Sequence, residues 1–333
     1  MLNFLTKQGI IYLVNILSGG IKMAKVSVEK YKHEHWGECV KVTNGEIEFV
    51  MTVEIGPRII RLAKVGGPNE LVEDIKGEAF VEHEELEKFW GAKRWQNMGG
   101  HRLWHSPEAM PRSYIPHDLP IDYEILPNGV TVSVDVEKIG IRNVMTATME
   151  ENGDMKVAHY CTNISQWDME FAPWCLTVFE HGGLEILPTS KKDTGFLSNR
   201  ALMMWPYNDV KDKRFDMDNK YVYMTTSPDG DEVNVNAFKI GINNEDGYAM
   251  YFNHGNLFVK QFEYEDGEMY PDNGCNCESY TNFKIMEIEA LGPITFLQPG
   301  ETVEFIEKWN LFCDVERPKT AEDVDKIVAK YVK

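Results

Sequence analysis

EMYPDNGCNCESYTNFKIMEIEALGPITFLQPGETVEFIEKWNLF, residues 268–312, couples a strand pattern to a pair of carboxylates that hydrophobic burial does not explain. In 283–290 the apolar Met286, Ile288 and Ala290 alternate with Glu287 and Glu289. That is the period of two of a strand, and it sets both glutamates on the opposite face. Like charges side by side on a sheet repel, so a face that keeps both either opens to solvent or binds something that benefits from them.

Outward from this segment, the chain is 333 residues long and 43% hydrophobic, enough to bury the core of two ordinary domains or of one large all-β domain. Lys+Arg 34 against Asp+Glu 53 gives a formal net charge of -19. That balance excludes the basic footprint by which proteins hold nucleic acid or an anionic membrane. The apolar run 9–17 after Lys7 is interrupted by Asn15, lacks a following cleavage pair and is too short to span a bilayer. Gly19, Gly20, Ile21, Lys22 and Met23 read as the translation of a purine-rich ribosome-binding sequence ahead of a start codon. Residues 1–22 are therefore expected to be a non-native or disordered extension, and 23–333 one domain. The six cysteines, Cys39, Cys161, Cys175, Cys275, Cys277 and Cys313, form no dense framework, which suits buried thiols in a reducing cytoplasm.

From Val26 the chain reads as strand after strand. Ile47, Phe49, Met51, Val53 and Ile55 alternate along 46–55, and Gly56-Pro57 ends the run before 58–63. Further strands are expected at 130–136, 145–149, 155–162, 174–179, 221–226, 248–252 and 295–297, many separated by turn signals such as Pro127-Asn128-Gly129, Pro228-Asp229-Gly230 and Pro299-Gly300. Helices are few. One is expected at 81–90 and one at the C-terminus, where Thr320 caps, Asp323 takes the reciprocal position, and Val324, Ile327, Val328 and Tyr331 form a stripe. One large antiparallel β domain fits best.

The segment WQNMGGHRLWHSPE, 95–108, pairs Gly99-Gly100, which let a backbone or a ligand approach closely, with a strand. That strand sets His101, Leu103 and His105 on one side and Arg102 and Trp104 on the other. An aromatic ring beside a fixed guanidinium suits a sugar, whose C–H face stacks while its hydroxyls take hydrogen bonds; a snorkelling arginine and a core tryptophan are the plainer alternative.

These landmarks in order, EIGPRI at 54–59, GGHRLWHSPE at 99–108, the Glu-bearing strand, LQPGE at 297–301 and Glu307-Lys308-Trp309, resemble the galactose mutarotase-like (aldose 1-epimerase) superfamily over nearly all of 26–312. The resemblance implies an antiparallel β-supersandwich with a sugar or oligosaccharide on its concave face. It also implies a late-strand glutamate as base on the anomeric hydroxyl and a histidine that protonates the ring oxygen. The base maps onto Glu289, or Glu287. Met98 and Pro173-Trp174 stand where such enzymes carry histidines, so His101 is the substitute proton donor, its ordinary pKa near 6.5 suiting the task. Recognition of a glycan without turnover, and a lyase or hydrolase on the same scaffold, remain as alternatives.

Arg58, Arg102, Trp104, Arg200, Trp205 and Asp272 are the expected substrate-binding residues, with Arg200 and Trp205 drawn from the aromatic and basic loop 200–214. Asp272, Asn273, Asn276 and Glu278 could offer oxygens to a calcium ion, but their spacing matches no established loop. Cys275-x-Cys277 has the wrong gap for zinc. No cofactor or metal is expected. Glu307 shares a strand face with Val303, Phe305, Trp309 and Leu311, so it is either a paired buried carboxylate or part of the site.

Overall fold

A computed structural model describes residues 25–195, 198–226 and 237–332. The proposed extension 1–22 and the Pro228-Asp229-Gly230 turn lie outside the described residues. Strands make up 49% of the structure and helices 8%, an all-β sandwich with few short helices.

Alternation creates the two layers. An 11-stranded sheet carries the strands Ile59–Lys64, Gly100–Ser106, Met169–Phe179, Met286–Leu291, Cys277–Thr281 and Phe238–Ile242 side by side in that order. A 10-stranded sheet has Asn256–Phe262, Thr302–Phe312, Met155–Asn163, Ile141–Met149 and Gly129–Val136 as successive neighbours. Neighbouring strands are antiparallel throughout the described residues. The two sheets bury one face each against the other. Met51, Leu103, Cys175, Ile288 and Ala290 of the first meet Val132, Met145, Val157, Phe258 and Trp309 of the second. Each fully buried large side chain of this kind contributes about 1.5–3 kcal/mol.

The expected strand 283–290 begins later, at Met286. Asn282 Oδ1 accepts from the backbone N–H groups of Lys284 and Ile285, closing a hairpin turn that leaves Phe283 on the rim of the concave face. The expected helix 81–90 is shortened to Glu84–Trp90. His83 caps it through Nδ1, and Phe80–Glu82 instead pairs with Arg94–Gln96 as a separate ribbon. Ala321–Tyr331 forms as the sequence suggests: Thr320 Oγ1 accepts from Asp323 N–H, and Val324, Ile327, Val328 and Tyr331 pack against Ile186, Tyr248 and Val259 on the outer face of the 10-stranded sheet.

Gly99 and Gly100 position the site strand. Both have left-handed backbones, φ 80 and 68, and a Cβ on either would lie 2.1 Å from the carbonyl of Val72 or 2.5 Å from that of Ile59. What approaches them is neighbouring backbone.

Candidate functional site

Register assembles the concave face. Arg102, Leu176, Glu289 and Glu278 are cross-strand partners in one row. Val178, Glu287, Tyr280 and Lys239 form the next, and Trp104 and Trp174 lie on the other side. Alternation turns all of these away from the core, yet Glu287 and Glu289 are only 4% and 1% exposed. They face a cavity of about 380 Å³ lined also by Trp95, Asn97, Glu108, Tyr114, Tyr207 and Asn282.

Each glutamate has its own cation. Arg102 Nη1 donates to Glu287 Oε1 at 3.1 Å, and Asn97 Nδ2 donates to the same oxygen at 3.2 Å. Lys239 Nζ reaches Glu289 Oε2 at 2.8 Å and Glu278 Oε2 at 2.7 Å, and Trp174 Nε1–H donates to Glu289 Oε2 at 2.8 Å. Burial raises the pKa of Glu289, and Lys239 partly offsets it. Glu278 is raised well above the usual carboxylate range, first by burial, with Lys239 partly offsetting it. Burial would lower Lys239, but Glu289 and Glu278 outweigh it and hold the ammonium charged.

Aromatic groups wall this charge cluster. The rings of Trp95 and Trp104 are 5.2 Å apart, those of Trp104 and Trp174 5.4 Å, and the Arg102 guanidinium lies 4.4 Å from the Trp104 ring. Tyr114 donates its hydroxyl hydrogen to Glu108. Tyr280 O–H accepts from Asn282 Nδ2 at 3.4 Å. Apolar walls with a few convergent polar groups are the usual build of a small-molecule site.

The sequence-derived candidates divide. Glu287, Glu289, Arg102 and Trp104 line the cavity together. Trp205 and Asp272 line an adjoining space. Arg58, fully buried, donates to the Gly99 carbonyl at 3.0 Å and borders a smaller pocket beneath Arg102. Arg200 does not join them: it is exposed and its Nε donates to the Ser190 carbonyl at 3.1 Å. The oxygens proposed for calcium diverge, since Asn276 is locked to the backbone of Asn244 and Glu278 to Lys239, while Asp272 is exposed.

The structure corrects the placing of His101. It points into the sandwich, is 0% exposed and does not line the cavity with Glu289. Its Nε2 lies 2.8 Å from His159 Nε2, and its Nδ1 lies 2.9 Å from Thr177 Oγ1. His159 Nδ1–H donates to the Phe305 carbonyl, so His159 Nε2 presents its lone pair and His101 Nε2–H donates to it. Burial drives His101 well below its ordinary pKa and His159 to about 3, so neither imidazole carries a spare proton at neutral pH. Glu307 completes the cluster, accepting from Lys260 Nζ and Trp309 Nε1–H, each at 2.9 Å. It is the paired buried carboxylate of the two readings. His101, His159 and Glu307 bring ligand-type atoms within 4.8 Å of one another. A metal ion fits poorly there: the two imidazole nitrogens already bond each other, and the Lys260 ammonium would face the cation.

Lys239 and Tyr280 escaped the sequence reading. Their signal is faint: Lys239 interrupts the apolar AFKIGI, 237–242, and Tyr280 alternates with Glu278 in CESYT, 277–281.

No family model matches the chain, and no curated protein is significantly similar to it. Solved structures do share its fold. A Klebsiella pneumoniae protein provisionally named an aldose 1-epimerase is 12% identical, with a TM-score of 0.59 over 92% of this chain and 86% of that one. A Salmonella typhimurium protein provisionally named a mutarotase is 9% identical, with a TM-score of 0.52 over 86% of this chain and 94% of that one. A TPR-domain containing protein from Parabacteroides distasonis, also 9% identical, gives a TM-score of 0.57 over 84% of this chain. The match spans only 48% of that longer protein. The fold is thus galactose mutarotase-like. Among the described residues no helix is long and apolar enough to cross a membrane.

Proposed function

We propose that the concave cavity binds a sugar and exchanges its anomers by acid–base chemistry, with Glu289 as the base. The observation that carries this reading is the buried Glu289 carboxyl, paired with Lys239 at 2.8 Å and raised in proton affinity by burial, on the wall of an aromatic-lined cavity. Glu289 takes the proton of the anomeric hydroxyl, the ring C–O bond breaks as the carbonyl forms, and the ring oxygen receives a proton. Tyr280 supplies it: its oxygen accepts from Asn282, which leaves its own hydrogen for a ligand. Tyr280 and Glu289 are diagonal cross-strand neighbours, a separation of about 7–8 Å that flanks a pyranose. Rotation about the C1–C2 bond of the open-chain aldehyde and the reverse steps return the other anomer. Arg102, Asn97 and Glu287 hydrogen-bond hydroxyls, and Trp104 and Trp174 stack on the ring.

Among the described residues no histidine lines this cavity, which favours recognition without turnover as the second reading. Exchange NMR on a panel of aldoses and uronic acids separates the two. Acceleration above the spontaneous rate, lost in Glu289→Gln and reduced by a smaller factor in Tyr280→Phe, supports catalysis. A sugar that binds without any acceleration supports recognition alone.

A further inference from the structure

The space beyond Lys239 has no role in a one-sugar reading. It measures about 350 Å³ and shares Glu108, Tyr114, Trp174 and Lys239 with the first cavity, so the two adjoin. Each lies within the size range of about 300–1,000 Å³ for small-ligand pockets. We infer that the site holds two linked sugar units, a reducing-end ring beside Glu289 and a second ring between Trp205 and Asp272. This rests on the sugar reading above and extends it to the length of the substrate.

The boundary is itself built for stacking. The Lys239 ammonium lies 4.7 Å from the Trp174 ring and 4.9 Å from the Trp205 ring, so both indoles stand at the boundary of the two spaces. Trp205 is half-buried and held in place: Asn208 N–H donates to its carbonyl at 3.0 Å, and Asn208 Oδ1 accepts from Lys239 N–H at 3.0 Å. On the same space, Asp272 and Asn273 both adopt left-handed backbones, φ 48 and 62. The turn is closed by Cys275 N–H donating to the Pro271 carbonyl at 2.8 Å, and the exposed Asp272 borders the space. An indole face for ring C–H groups with a carboxylate for hydroxyls is a sugar subsite in miniature. With Glu289 as the base, the free anomeric carbon of the first ring lies at Glu289 and the glycosidic substituent runs outward past Lys239 toward Trp205 and Asp272.

Calorimetric titration of the full chain with glucose against maltose, cellobiose and lactose, and with galactose against β-1,4-galactobiose, tests this. At least one disaccharide should bind about tenfold more tightly than its reducing-end monosaccharide. Trp205→Ala and, independently, the surface change Asp272→Ala should each bring that ratio toward one. Equal affinities for every pair, or a ratio unchanged in both variants, would overturn the second subsite while leaving the sugar reading standing. Binding of neither length would overturn the sugar reading itself, and this inference with it.

Discussion

Two buried lysine–glutamate pairs lie on either side of the 11-stranded sheet, one carried by the facing 10-stranded sheet and one by the 11-stranded sheet itself, and they do different work. Lys260 and Glu307 meet at 2.9 Å between the sheets, where Lys260 also donates to the carbonyls of Cys175 and Ile288, residues on the two strands that carry Trp174 and Glu289. Lys239 and Glu289 meet at 2.8 Å on the concave face. The chemistry is the same, but the first pair is walled in by core side chains and the second opens to a cavity. Access therefore separates a polar tie between the sheets from a carboxyl that a ligand in the cavity can reach, the one proposed as the base.

Matched substitutions give the largest expected contrast. Glu289→Gln keeps the shape of the side chain and the Trp174 hydrogen bond, and it leaves Lys239 with Glu278 at 2.7 Å as a counter-charge, so it should lower anomer exchange by about 10²–10⁴-fold in exchange NMR with a smaller fall in melting temperature than Glu307→Gln. Glu307→Gln leaves Lys260 without its counter-charge and should cost about 3–5 kcal/mol in denaturant unfolding, with the exchange rate per folded molecule preserved. If both variants lost rate and neither lost stability, the two faces would not differ as described.

The pH dependence should divide in the same way. On the inner side, burial raises Glu185 to about 8 against an ordinary 4.5, although Ser279 donates to it. A carboxyl whose folded pKa is raised contributes most below its unfolded value and loses that contribution as pH climbs through its folded value. Melting of the wild type should therefore fall between about pH 4.5 and 8 relative to Glu185→Gln. On the cavity side the readout is rate: activity needs ionised Glu289, and Lys239 lowers its pKa, so Lys239→Met should move the acid limb of the rate profile to higher pH. An unmoved limb would mean that Lys239 does not tune the base.

His101→Asn should have the smallest effect on rate. It removes the donor to His159 Nε2 and should cost about 1–3 kcal/mol in unfolding free energy, while anomer exchange per folded molecule stays near wild type. A folded His101→Asn protein without activity would restore the imidazole to the chemistry.

The alternation of 283–290 already separated Met286, Ile288 and Ala290 from Glu287 and Glu289, and the turn signals and apolar runs outlined most of the sandwich strands. Alternation is local, however, and says which residues of one strand share a face, not which faces of two strands coincide. That is set by register: Leu176 pairs with both Arg102 and Glu289, which puts Arg102 on the face of Glu289 and His101 on the opposite one. Leu103 on the same side as His101 hinted at the core. Lys239 was illegible for the same reason, since it reaches Glu289 only through the pairing of Phe238–Ile242 with Cys277–Thr281 and of Cys277–Thr281 with Met286–Leu291. Arg200 misled because a basic, aromatic loop looks alike whether its side chains turn toward a cavity or, like Arg200, toward neighbouring backbone.

A crystal structure of Glu289→Gln soaked with an aldose that the protein binds tests the central claim most directly. The account predicts the sugar on the concave face, its ring against Trp104 or Trp174 and its anomeric hydroxyl within hydrogen-bond distance of residue 289. A sugar seated elsewhere, or one whose anomeric carbon faces away from that residue, would contradict it.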